Sequence, residues 1–290
     1  MGTDTRERSL FKRYDPQRIG ELVGFYGAII LLCLVSFFPI IWIFLTSIKP
    51  SSEIVQFPVK YLPSEIIIEN YRIALEQAPF ARYLFNSFVV ASGTAIVCVV
   101  LGSMAGYALS RLEFRFKLHV LMIVLVSAML PFFGRLIPLF NLARETGFLN
   151  SYLGLIIPYS AFQLPFAIWI FQAYFKELPD SLEEAGLIDG LSHIGVLFRI
   201  ILPVSAPAMA TTAVIVFIYA WNEFLFALTF MTQDSMKTIT VGIALYQGEF
   251  TFPWATISAA VFMSIVPLLL LMLFFQRKIV EGLTAGVGKA

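Results

Sequence analysis

Charged side chains are few in this chain and unevenly spread, leaving several stretches of 20 or more residues with almost none. A helix rises 1.5 Å per residue, so such a stretch can cross a hydrocarbon core of roughly 30 Å. Of the 290 residues, 59% are apolar and only 13% charged, against roughly 25% charged in soluble domains. In lipid every backbone polar group must find its partner within the segment, so the spans must be helical. The prediction is an all-α polytopic membrane protein. A net charge of +1 gives no field that argues for nucleic acid. Cys33 and Cys98 fall inside apolar stretches without metal spacing or a disulfide pattern, and read as small core residues.

Six spans are predicted, at about 22–48, 84–109, 118–140, 152–175, 204–230 and 255–276. Residues 1–21 form a polar tail with Arg6, Arg8, Lys12, Arg13 and Arg18, and residues 277–290 form a second tail. The run from residue 22 is too long for a signal-peptide core and is expected to stay as a spanning helix. Pro39, Pro131, Pro138, Pro158 and Pro165 fall within spans and predict bends, as a translocation pathway needs. With both termini in the cytoplasm, 13 of the 20 Lys and Arg lie on the inner side. The outer segments 49–83 and 231–254 read as docking surfaces or as plain connectors, neither able to fold alone.

The most informative segment, residues 178–207, reads LPDSLEEAGLIDGLSHIGVLFRIILPVSAP. Ser181 and Glu184 fit a capping box, and Asp180, Glu183 and Glu184 suit a helix N-terminus. Leu182, Ala185 and Ile188 are expected to line one face. Gly190 should end this helix and Ser192 cap a second, with Ile194, Leu197, Phe198 and Ile201 as its apolar face. Such a pair suits a groove on another protein or the membrane surface. Its three leading acids favour the protein, since membrane-surface helices are usually rich in Lys and Arg.

Other candidates follow from depth along the spans. Glu223 and Arg135 are predicted about 28 and 26 Å from the inner side by the helix rise, and are expected to pair at an outer gate or to snorkel separately. Ser127 and Gln163 lie near the midplane, where polar groups beside a helix break suit a hydroxyl-rich solute. Tyr159, Tyr219 and Trp221 can stack on sugar rings or simply pack, and Asn222 adjoins them. His119 and His193 lack metal or triad spacing, so no metal site is expected. The sequence has no Gly-x-x-x-x-Gly-Lys-Ser/Thr phosphate loop.

Glu184-Ala185-Gly186, three residues, Gly190, nine residues, Ile200, one residue, Leu202-Pro203 closely resembles the EAA loop of ABC-importer permeases, with Gly186 at the second alanine. Asn70-Tyr71, Asn86-Ser87, Gly106-Tyr107-Ala108, Arg111, Pro131, Ile137-Pro138, Leu164-Pro165-Phe166, Trp221-Asn222-Glu223-Phe224 and Gln276-Arg277 with Gly282-Leu283-Thr284 extend the likeness over about residues 25–289. They resemble the second, maltose- or trehalose-type permease subunit of carbohydrate importers. Phe132-Phe133-Gly134 departs from it where a polar residue is expected.

The resemblance implies a type I importer fold in a prokaryotic inner membrane, with a cytoplasmic coupling-helix pair. It implies a second permease subunit in a heterodimer, two ATPase subunits or a dimeric ATPase holding ATP and Mg, and an extracytoplasmic sugar-binding protein. This chain would bind no cofactor. The solute would be an α-linked di- or oligosaccharide such as trehalose or maltose. Glu183 or Glu184 would pair with a basic ATPase residue, Leu187 and Ile188 would fill its groove, Asp189 would cap or brace the turn, and Gly190 would set the interhelix angle. Residues 286–290 would form a second contact. A permease for another small polar solute, an ion-coupled secondary transporter and a recruiting scaffold are the competing readings.

Overall fold

The structure is a computed structural model that describes residues 16–246 and 252–284. Most of the N-terminal tail, Gly248 and residues 286–290 lie outside the described residues. Every regular element among those described is helical.

The chain divides into two compact units. The first comprises residues up to 71 together with 254–262. Its main element is α1 (Pro16–Ser47), whose apolar side chains between residues 22 and 38 are all exposed, Cys33 included. That corrects the core placement of Cys33, which lies on the exposed surface of α1. The loop after α1 is tightly knit, in part against the end of α1. Asn70, in the short α2 (Glu69–Glu76), donates from Nδ2 to the carbonyls of Ser47 and Lys49 at 2.9 and 3.1 Å, and Ile67 N–H donates to Ile48 at 2.8 Å. Buried Glu53 accepts from Lys60 Nζ at 2.8 Å and from both the amide and the hydroxyl of Ser64. The Lys60 and Ser64 hydrogen bonds hold its carboxyl down to about 2.

The second unit comprises residues 72–253 and 263 onward. Its centre is α3 (Phe80–Arg111) packed on α6 (Tyr152–Glu177). A Cβ on Gly102 would stand 2.8 Å from the Ala167 Cβ, and one on Gly106 2.6 Å from the Phe171 Cβ. Glycines four apart thus let the two backbones approach closely, as in membrane helix pairs generally. Cys98 is buried at this interface, its thiol 3.6 Å from the Ser160 carbonyl.

Two of the six predicted spans are not single helices. α4 (Lys117–Ala128) stops short, and the chain turns by 94° into Phe133–Thr146, which contains α5 (Leu136–Thr146). Pro131 has no N–H for a continuing helix and disfavours helical geometry just before it. The fifth span begins after a bend of 83° between α8 (His193–Val204) and α9 (Ala206–Asn222). It ends at Glu223, whose backbone is extended, before the short α10 (Leu225–Phe230). The other four expected spans fall in unbroken helices long and apolar enough to cross a membrane: within α1, α3, α6 and, after the short α11 (Ile239–Ala244), α12 (Trp254–Thr284). α12 continues past residue 276, where a tail was expected to begin.

Candidate coupling site

α7 (Ser181–Ile188) and α8 form the predicted pair. The capping box does not form. Asp180 takes the cap position, its carbonyl accepts the amides of Glu183 and Glu184 at 3.0 and 3.1 Å, and Ser181 is already helical. Arg111 dictates this, because its guanidinium holds the Asp180 carboxylate and donates to the carbonyls of Phe175 and Leu178.

The far end follows the prediction. Gly190 has φ +84, Leu191 N–H donates to the Gly186 carbonyl at 3.0 Å, and Gly190 N–H donates to Leu187 at 3.0 Å. This pair of bonds is the Schellman helix stop, which favours glycine at the left-handed position. The Ser192 hydroxyl accepts the Gly195 amide at 3.2 Å and opens α8. Asp189 is exposed and caps nothing through its side chain.

The apolar residues of the pair divide between an exposed side and a buried one, the latter including Leu197 and Ile201. Ala185 and Ile188 are exposed, and so are Ile194 and Phe198, at 62% and 46%. Gly186 is the buried residue of α7, and a Cβ there would reach 2.6 Å from Ile200 Cδ1 and 3.0 Å from Val196 Cγ2. With no side chain at 186, α8 packs over that position and rotates 185 and 188 outward. Val196, Leu197, Ile201 and Leu202 then join Tyr107, Phe171 and Phe175 in one core at the end of α3 and α6. Pro203 continues the helix through α8 beside a π-turn at Leu197–Ile201. The exposed surface of the pair carries Glu184, Leu187, Ile188 and Asp189.

The two adjacent glutamates have different surroundings. Glu184 is exposed, whereas the Glu183 side chain is only 13% accessible. Glu183 Oε1 accepts from the Tyr107 hydroxyl at 2.6 Å and lies 3.3 Å from His193 Nδ1. Its Oε2 lies 3.9 Å from Arg111 Nε. Tyr107 and Arg111 stand four apart at the C-terminal end of α3, on one helix face. Their roles were not assigned from sequence, although that spacing was visible.

The outer-gate pair is not formed. Arg135 donates to the Leu130 carbonyl at 2.7 Å and its guanidinium sits 4.3 Å over the Phe162 ring. Glu223 is buried and accepts the Tyr159 hydroxyl together with the amides of Phe226 and Ala227 at 3.0 and 3.1 Å. Its carboxylate starts α10, the role of an acid at a helix N-terminus. The depth count failed for Arg135 because the helix carrying it turns away before that position. Phe132, the departure noted in the sequence, meets Phe162 and Phe226 edge-on at 5.6 and 5.1 Å. It belongs to an aromatic cluster rather than a polar site.

Among the pathway candidates, Tyr159 and Trp221 are buried, Trp221 stacked on Phe217 at 5.5 Å. Neither is free to stack on a sugar ring in this conformation. Ser127, Gln163 and Tyr219 are partly accessible, and exposed Asn222 donates to its own helix at Ile218. Ser127 donates to Val124 and lines an apolar cavity of about 450 Å³ with Arg135, Ile157 and Phe162.

Residues 98–283 match the family described as binding-protein-dependent transport system inner membrane component. The trehalose/maltose transport system permease protein of Thermococcus litoralis is 41% identical over 90% of this chain and 94% of its own length. The sulfoquinovosyl glycerol transport system permease protein of Agrobacterium fabrum is 39% identical over 92% of this chain and 93% of its own. A crystal structure of a bacterial ABC transporter involved in import of the polysaccharide alginate shares the fold, with a TM-score of 0.77 at 23% identity over 91% of this chain and 98% of that one. A helical fold with several helices long and apolar enough to span a membrane, a family match over most of the chain and near full-length relatives that are transport permeases lead to one conclusion: this chain belongs to the family of binding-protein-dependent ABC-importer permeases, and is a transport subunit rather than an enzyme.

Proposed function

We propose that this chain forms half of the translocation pathway of an ATP-driven sugar importer, and that its solute is an α-linked di- or oligosaccharide such as trehalose or maltose. The observation that carries the coupling role is the exposed surface of α7, where Glu184, Leu187 and Ile188 project beside the Gly190 turn. Leu187 and Ile188 fill an ATPase groove, Glu184 pairs with a basic residue at its rim, and Glu183 is withdrawn from that contact by its bonds to Tyr107. ATP and Mg are held by the ATPase, since this sequence has no phosphate loop.

The sugar assignment rests on the relatives, whose named solutes are glycosides: trehalose or maltose, sulfoquinovosyl glycerol and diacetylchitobiose. A second permease subunit completes a heterodimer, and an extracytoplasmic binding protein delivers the sugar. A distant structural neighbour was solved with a pentasaccharide-bound periplasmic protein, at a TM-score of 0.65. Both termini face the cytoplasm, the side richer in Lys and Arg. Ser127, Gln163, Tyr219 and Asn222 are the pathway residues still accessible to a solute. Arg135 and Glu223 hold the outer end separately.

The test is co-purification of the ATPase with the permease, followed by ATP hydrolysis with and without sugar-loaded binding protein. Trehalose- or maltose-loaded protein should stimulate hydrolysis, and Glu184→Lys should remove the stimulation while the permease still reaches the membrane. Failure of any ATPase to co-purify, or uptake driven by an ion gradient alone, would refute the assignment.

A further inference from the structure

The contacts of Glu183 point to a role distinct from that of its neighbour. We infer that Tyr107 and Glu183 are positioning residues that latch the coupling helix α7 to α3, so that the two move as one body when an attached ATPase closes. This inference rests on the coupling role proposed above.

Three observations carry it. First, the bond is across the fold rather than local: a hydroxyl on α3 meets a carboxylate on α7 76 residues later, at 2.6 Å. Second, the pair is shielded, since Tyr107 is 4% exposed and the Glu183 side chain 13%. A carboxylate so placed needs hydrogen bonds, because leaving it unpaired there is costly. Third, Arg111, one turn from Tyr107, grips the entry to the same helix through Asp180, Phe175 and Leu178. The start of α7 is therefore fastened to both α3 and the end of α6.

The turn that joins α7 to α8 lacks such fastening, although α8 itself packs Val196, Leu197, Ile201 and Leu202 against Tyr107, Phe171 and Phe175. Gly190 is exposed with open space around it, and α8 meets α9 at the 83° bend. A push on α7 is consequently carried into the α3–α6 pair, whose close approach at Gly102 and Gly106 resists internal sliding. Glu184 takes the push and Glu183 passes it on. The two glutamates therefore differ in kind, which their adjacency in sequence conceals.

The experiment uses the assembled transporter in nanodiscs, with spin labels at Ser181 at the start of α7, away from the proposed ATPase contact, and at Phe85 near the other end of α3. Both positions are exposed. In the parent protein the distance between them should be the same before and after trapping the ATPase closed with ATP and vanadate. Tyr107→Phe keeps the ring and removes only the hydroxyl. A hydrogen bond to a charged group corresponds to about 10- to 100-fold in the ratio of latched to unlatched forms. The trapped Tyr107→Phe complex should accordingly show a broadened or shifted distance, and more ATP hydrolysed per sugar delivered. Glu183→Gln, which retains an acceptor for Tyr107, should be milder than Glu183→Leu. A purely packing role would lower hydrolysis and uptake together and would not follow that order. An unchanged distance and coupling ratio in Tyr107→Phe overturns the latch, as does a parent distance that changes on trapping. Absence of vanadate trapping in the parent complex would instead count against the proposed function.

Discussion

Replacing Gly190 tests whether the shape of the coupling turn governs ATPase attachment. At φ +84 the residue lies in the left-handed region, which costs a side-chain-bearing residue roughly 1–2 kcal/mol. A Cβ would meet nothing within 4 Å, so alanine incurs only that dihedral cost. Asparagine tolerates the region better and should lose less. Proline is different in kind. Its ring holds φ near −65°, and it has no N–H to donate to Leu187, a bond of 3.0 Å worth roughly 0.5–1.5 kcal/mol. The Leu191 bond to Gly186 cannot survive that rearrangement, and the turn opens. If the ATPase accepts only the closed turn, each ~1.4 kcal/mol is a tenfold loss of affinity. Alanine should then weaken attachment by up to about 5- to 30-fold, asparagine by less, and proline should abolish it. The assay is binding of the purified ATPase to permease in nanodiscs, with size-exclusion profiles confirming that each variant is folded. A folded Gly190→Pro protein that binds the ATPase with parental affinity would falsify the reasoning.

Two further outcomes follow from particular contacts. Arg135 and Glu223 have separate partners, so a double-mutant cycle of Arg135→Gln and Glu223→Gln on thermal stability should show coupling within ~0.5 kcal/mol of zero; a favourable coupling above ~1 kcal/mol would restore the gate pair. Glu53 has its carboxyl held down to about 2, below the ordinary value near 4.5. The stabilisation it lends the loop is present above the ordinary value and is lost as pH falls through that interval. Protection of the Ser64 amide against hydrogen exchange should decline from about pH 4.5 toward 2, and Glu53→Gln should flatten that profile. Constant protection in the parent protein across that range would contradict the carboxylate's role.

The order of residues was enough to settle the solvent and the local signals. A chain this poor in charge must satisfy its backbone inside helices, and the ends of the coupling pair are written in Gly190 and Ser192, whose bonds reach only a few residues. The EAA spacing was legible for the same reason, because consecutive short elements are specified by neighbours in the chain. Packing between distant elements set which side of α7 faces inward, where the third and fifth spans break, and what Glu183, Arg135 and Glu223 touch. Periodicity put Leu182, Ala185 and Ile188 on one side of α7 without saying which side packs inward, and the closest approach came at Gly186, where the absence of a side chain admits Ile200 and Val196. Depth along a straight helix aligned Arg135 with Glu223, but the chain bends by 94° before Arg135 and aromatic rings occupy the region around it. Hydrogen bonds within one turn are set by spacing in the sequence, whereas a bond between residues 107 and 183 exists only because α3, α6 and the coupling pair have already packed together.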